Sequence, residues 1–434
     1  MTANFDKTQS MTKINSSASS INKIYFPIVF LLSWLGFTIF VFSFGPYTYN
    51  ITGAGYFYTY LLLIHLALFI GYKVGLKSHG RLLRFKVNYL KTIEGVIVLS
   101  ACFNILKLMF NGGAVGNVIE TFNDASLSYE KNITGHFASV FTYLDMIFYP
   151  IYVVAITNAI TNYKNLRFQY RIFTVFLLML PVFSSIGSAT RSGIVQATMI
   201  IFSAILLSIY KRKIILTMRR KVIAILAIIL AAIAFIAYNS LLVTSRGGIS
   251  LYNLVTGDPP RDDFILNEFI SPEFQLIIAS ISFYISHSYY RLNKAMDLPF
   301  EGLGLGFTNS VFIMSNIERL TGWNGLFEIS YGIRLDREDG VGDFGLFWST
   351  FYTWIASDFT FPGVIIIIFF IGYFFALSLK DSLLQDNPLS IATFCVLFYF
   401  IFHFSFNNPL QDGQGLATYF FLPLFWFFSR KKLY

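Results

Sequence analysis

The sequence predicts an all-α integral membrane protein with about ten transmembrane helices, ten to twelve in all, and a long outer loop containing short amphipathic helices. Composition, the length of the apolar blocks and the placement of charge each point there. Of 434 residues, 55% are hydrophobic, 19% aromatic and 13% charged, where a soluble domain carries about 25% charged residues. Ile24–Phe44 and Val222–Val243 are apolar blocks without a charge, each near the roughly 20 residues that cross about 30 Å of hydrocarbon at ~1.5 Å per residue. Lipid offers the backbone no hydrogen-bond partners, so such blocks must be helical.

Ten spans are expected, near residues 24–44, 56–76, 92–110, 137–158, 172–188, 192–210, 222–243, 359–379, 389–406 and 414–429. They divide the chain into a disordered cytoplasmic tail (1–23), an N-terminal bundle of about seven spans (24–243), a long outer loop with interfacial helices (244–358) and about three C-terminal spans (359–434). With the N-terminus inside, the tail, the loops near 73–91, 162–171, 211–221 and 380–388, and the C-terminus face the cytoplasm. These hold 22 of the 32 Lys and Arg residues. Positive charge is retained on the cytoplasmic side, and the spans were placed without reference to charge, so the sorting is an independent check. It also accounts for the net charge of +9 through topology and lipid headgroups, and nucleic acid is not an expected partner. Cys102 and Cys395 both fall in apolar blocks, which argues against a disulfide framework or a zinc site.

The loop 244–343 holds thirteen acids against six Arg and one Lys, and long loops without a role are uncommon. Within it, Glu273–Met296 and Phe300–Ile317 read as helices lying on or dipping into the membrane surface, and Phe344–Ser357 as a re-entrant or interfacial helix. A twelve-span alternative has Gln275–Leu292 and Phe344–Ser357 both crossing.

Several residues stand out. Arg191 lies in the turn Ser188-Ala189-Thr190-Arg191-Ser192-Gly193 between two short spans. A guanidinium among small hydroxyl residues matches phosphate oxygens in a bidentate fork; the plainer alternative is an Arg snorkelling to lipid headgroups. Arg246 occupies a similar setting, Thr244-Ser245-Arg246-Gly247-Gly248. Tyr284, His287 and Arg291, with Tyr290 beside them, fall on one helical face. There His287 is the candidate general base and Arg291 a candidate phosphate clamp; the alternative is the polar edge of a surface helix. Asp358 opens the eighth span and reads first as a helix N-cap, second as a base. Lys107 and Asp145 lie within spans, where an unpaired charge costs a few kcal/mol, so they are expected to pair or to have a role. His65 and His403 read as buried packing residues. No Walker A motif, dinucleotide fingerprint, HExxH or metal-spaced Cys or His cluster occurs, so no metal or other cofactor is expected.

With its spans, its Phe- and Tyr-rich composition, its long outer loop before the last spans and its Arg in a small-residue turn, the chain resembles the bacterial O-antigen polymerases, the Wzy-type oligosaccharide repeat-unit polymerases. Ser188-Ala189-Thr190-Arg191-Ser192 resembles that family's Ser/Gly-x-Arg-Ser element. Asp358-Phe359-Thr360-Phe361-Pro362-Gly363 resembles its Asp-Phe-Gly-x-x-Gly element, with Thr360 where Gly is usual. The resemblance implies a metal-independent glycosyltransferase of the bacterial inner membrane, both termini cytoplasmic, acting at the periplasmic face. It would transfer a growing glycan from one undecaprenyl-diphosphate carrier to the next lipid-linked repeat unit, as in lipopolysaccharide biosynthesis. Its partners would be that lipid-linked oligosaccharide, membrane lipid and, where present, a chain-length regulator. Arg191, Arg246, Arg291, Tyr284 and Tyr290 would bind substrate. A lipid-linked oligosaccharide flippase and an O-antigen ligase-like transferase are the alternatives.

Overall fold

The computed structural model describes residues 18–78, 81–82, 89–111, 116–125, 127–128, 140–213, 217–245, 260–261, 263–340, 348–384 and 387–431. Among them nine helices are long and apolar enough to cross a membrane: α1 (Ala18–Phe44), α2 (Ala54–Lys77), α3 (Tyr89–Asn111), α5 (Val140–Thr161), α6 (Phe168–Gly187), α7 (Ser192–Tyr210), α8 (Met218–Ser245), α13 (Phe351–Leu384) and α14 (Pro388–Phe402). The short α4 (Gly116–Asn123) follows α3. The tenth expected span is a helical run, α15, built from Gly413–Gly415, a π-helical stretch Leu416–Phe421 and Leu422–Phe428. The protein is thus an all-α integral membrane protein of about ten spans, as the apolar blocks predict. Helix α1 takes in residues 18–23, which the sequence reading assigned to a disordered tail. A long apolar span is an existing nucleus, and adding a turn to it is cheap. Residues 1–17 of that tail lie outside the described residues.

The basic segments meet at one end of the bundle. Arg81–Leu82 pairs antiparallel with Arg430–Lys431. Lys380 Nζ donates to the Ser78 carbonyl at 2.5 Å and Arg430 Nε to Asp381 at 2.7 Å. Arg167 grips Glu94 at 2.6 Å, and Lys213 Nζ donates to Asn162 at 2.6 Å. Asn158 joins the two groups, accepting from Tyr89 and donating to the Pro388 carbonyl. Lys107 and Asp145, on α3 and α5, form an ion pair with each other, the structural resolution of the two intramembrane charges.

Small residues set the tightest seam. A Cβ on Gly71 would lie 2.0 Å from the Phe369 carbonyl oxygen, and one on Gly372 2.2 Å from that of Leu68. Helices α2 and α13 therefore pack backbone to backbone, as small residues allow within lipid. Helix α14 is the buried axis, with Phe394, Phe398 and Ile401 wholly enclosed. Helix α8 stands at the rim, with nearly all of its apolar length left uncovered by protein.

The far end is closed by the segment that follows α8. Helix α9 (Pro272–Asp297) lies across this end and is not among the helices apolar enough to span. Along its length it follows the α1–α2 turn: Phe283 meets Tyr47, Ser286 bonds Tyr49, and Asn293 and Asp297 bond Thr52. Gln275–Leu292, which crosses in the twelve-span alternative, is not among the nine described helices apolar enough to span. Phe300–Ile317 is not one helix: an irregular stretch precedes α10 (Val311–Thr321), which Ser310 caps. Then come α11 (Gly325–Ile329) and α12 (Tyr331–Glu338). Of the expected helix Phe344–Ser357, residues 344–347 lie outside the described residues; Phe351–Asp358 is a buried helical arm, separated by a non-helical residue, Thr360 (φ 65°, ψ 162°), from the span behind it. At ~1.5 Å per residue a 34-residue helix would far exceed the hydrocarbon thickness, and the break lets the arm turn off while the remainder spans.

Candidate functional site

The α6–α7 turn presents Arg191. Helix α6 ends in a Schellman motif: Thr190 N donates to Ser185 O at 2.8 Å, Ala189 N to Ile186 O at 2.9 Å, and Ala189 has φ 53°. That left-handed residue normally is Gly. Gly193 lets the helices meet, since a Cβ there would lie 2.3 Å from Ser185 Oγ. Tyr238 of α8 fastens the turn from outside, its hydroxyl donating to Ser185 O and Thr190 O. Residues 190–192 thus face inward, at the end opposite the basic segments.

They border a cavity of about 560 Å³ walled by α1, α5, α7, α8, α9, α14 and α15. Arg191 is 9% exposed. Its guanidinium lies 5.3 Å from the centroid of the Tyr284 ring, its Nε has no hydrogen-bond partner, and no carboxylate among the described residues pairs with it. A cation removed from water without a counter-ion is a receptor for an anion, because pairing recovers desolvation cost already incurred. Aromatic faces from Trp34, Trp348, Tyr149 and Tyr399 line the walls, with Gln196, Asn239 and Gln414 between them. Gln196 orders one wall, accepting from Tyr149 at 2.8 Å and donating to Tyr419. Behind Thr190, Ser192 and Gln196 a second cavity of about 240 Å³ reaches the Lys107–Asp145 pair.

Among the described residues Asp412 is the carboxylate that lines the main cavity. It caps α15, Oδ1 accepting from Gly415 N at 2.6 Å. It is open to the cavity and ringed by protein; that enclosure pushes its pKa up, against the opposing effect of the Gly415 and Gln414 amides. His403, read from sequence as a packing residue, is half-buried and borders the same space.

Of the predicted site residues the cavity gathers Arg191 and Tyr284. Tyr290 stacks on Tyr49 at 5.3 Å and lies outside it. Arg291 is fully buried, with Nη2 2.5 Å from Asp336 Oδ1 on α12, and its clamp role is corrected to an inter-helix ion pair. His287 is 1% exposed and stacks on Phe283 at 4.6 Å. Burial first, then the charges of Arg291 and Lys294, hold its pKa well below the ordinary value, and it too lies outside the cavity. These residues share a face with Tyr284, but α9 runs across the bundle, so each step along it leaves the cavity behind. Asp358 neither caps a helix start nor meets the cavity. It is wholly buried inside the α13 arm, accepting from Gly306 N, Thr308 N, Thr308 Oγ1 and Asn309 Nδ2 at 2.7–3.0 Å. Arg246 lies outside the described residues.

The chain matches no protein-family model, no curated protein and no solved structure. Functional reasoning therefore rests on the cavity itself. The group the sequence reading passed over is the turn Asn407-Asn408-Pro409-Leu410-Gln411-Asp412-Gly413-Gln414, whose polar and Pro/Gly residues between two apolar blocks are a visible turn signal. Phe312 N donates to Gln411 O at 2.9 Å, which ties this turn to the start of α10.

Proposed function

We propose that the protein polymerises oligosaccharide repeat units carried on undecaprenyl diphosphate, at the outer face of a bacterial cytoplasmic membrane. The observation that carries this reading is the buried guanidinium of Arg191, which pairs with no carboxylate among the described residues, stacked on Tyr284 at the wall of an aromatic and amide-lined cavity. A lipid diphosphate supplies the missing anion at membrane depth. Sugar rings offer C–H faces to aromatic side chains and hydroxyls to Gln and Asn. As the glycosidic bond to the carrier breaks, charge develops on the diphosphate, and a fixed, largely buried cation stabilises it most there. The cavity opens at the end away from the basic segments, which under the positive-inside rule is the outer face. Thr360 adds support: it stands where the family motif has Gly and has a backbone conformation suited to Gly.

In cells making the cognate glycan, Arg191→Ala expressed at wild-type level leaves single repeat units where the wild type gives a long ladder. Loss of one such stabilising cation lowers the rate by roughly 10²–10³. An unchanged ladder contradicts the reading. Normal polymer that fails only to reach its final acceptor indicates a ligase, and repeat units stranded on the inner face a flippase.

A further inference from the structure

The reaction proposed above needs a proton acceptor, and the two groups that the sequence offered, His287 and Asp358, both lie outside the cavity. We infer that Asp412 takes the proton from the acceptor hydroxyl; this rests on the polymerase reading. Asp412 borders the same cavity as Arg191. Its hydrogen-bond donors among the described residues are the backbone amides of Gly415 and Gln414, and no side chain bonds it. A carboxylate has about four lone-pair sites, so it retains capacity toward the cavity while its cap fixes its position. The titratable groups facing it are Tyr149 of α5 and Tyr399 and Tyr419 of α14 and α15. Arg191, Tyr284 and His403 face the same space from α7, α9 and α14. Among these groups Asp412 is the one that carries a carboxylate. Crowding by protein raises its basicity, the direction that suits a general base. His403 is less open: its Nδ1 is buried and its ring is held between Tyr399 and Phe406 at 5.2 and 5.3 Å.

The step balances within the cavity. The acceptor O–H gives its proton to the Asp412 carboxylate, and the oxygen bonds to the anomeric carbon of the donor. The bond from that carbon to the carrier oxygen breaks, and its electron pair leaves on the diphosphate held by Arg191. Asp412 then returns its proton to water.

The test uses the full chain in lipid, a polyprenyl-diphosphate-linked repeat unit as probe, and single-turnover elongation rates across pH beside carrier binding. Asp412→Asn and Asp412→Ser both keep a side chain able to cap α15, so folding is preserved. Both are expected to lower the rate by about 10²–10⁴ with carrier affinity unchanged. The acid limb of the wild-type profile should lie above the ordinary aspartate range, vanish in both variants, and return in part with Asp412→Glu. Wild-type rates in Asp412→Asn, or an acid limb removed by His403→Gln instead, overturn the assignment while leaving the polymerase reading intact. If Arg191→Ala also elongates normally, the reading beneath it fails.

Discussion

The Arg191 guanidinium sits 5.3 Å from the ring centroid of Tyr284, joining the α6–α7 turn to a helix that lies across the end of the bundle. Desolvated cation–π contacts contribute up to about 2 kcal/mol. Tyr284→Ala is therefore expected to weaken carrier binding by roughly 3- to 30-fold without unfolding the protein. Arg191→Lys keeps the charge but loses the planar fork, and should fall between wild type and Arg191→Ala. Isothermal binding of a polyprenyl diphosphate measures both. Equal affinity in all four proteins would show that the pair does not hold the ligand.

Arg291 and Asp336, each about 1% exposed in the side chain, hold α9 to α12. Removing one partner of a buried pair costs about 3–5 kcal/mol, whereas replacing both with apolar residues costs far less. Arg291→Ala should thus unfold earlier in detergent melts, and Arg291→Met with Asp336→Leu should recover most of the loss. Lost activity with an unchanged melt in Arg291→Ala would place this arginine in substrate binding instead.

His287 makes stability depend on pH. Its folded-state pKa is depressed, by burial before the neighbouring cations, so the unfolded chain binds a proton that the folded chain refuses. Stability is lost as pH falls below about 6.5, by up to about 1.4 kcal/mol per pH unit, until the folded-state pKa is reached. Melting curves between pH 7.5 and 5.5 should show this slope (a pH range of about two units), and His287→Gln should flatten it. An identical slope in the variant contradicts the assignment.

Thr360 is β-branched and has φ 65°, ψ 162°, a region used almost only by Gly at a cost of about 1–3 kcal/mol. Against this, Gly adds up to about 1 kcal/mol of unfolded-state entropy. Thr360→Gly is accordingly expected to stabilise the protein by about 1 kcal/mol, read as a higher melting temperature. A lower one would mean that the hydroxyl or methyl group contributes more than the strain.

Much of the fold was legible because lipid imposes simple demands. Uncharged blocks such as Ile24–Phe44 became spans, and loops rich in Lys and Arg gathered at one end. Lys107 and Asp145 found each other for the reason that made them conspicuous. The site was only partly legible. Arg191 showed itself through its small neighbours, and Tyr284 through helical spacing. Spacing cannot tell that α9 lies across the bundle, so Tyr284 reaches the cavity while Arg291, seven residues on and about 10 Å further along, meets α12. Asp358 likewise carries no mark in sequence of the four hydrogen bonds that occupy it. Asp412 was hidden because a polar turn between spans reads as a connector until the fold places it on the same cavity as Arg191.

The most direct test of the central claim is elongation by the purified protein in liposomes, supplied with polyprenyl-diphosphate-linked repeat units and no nucleotide sugar. The account predicts a ladder of products from the wild type and single units from Arg191→Ala. No ladder from the wild type, or the same ladder from both, would contradict it.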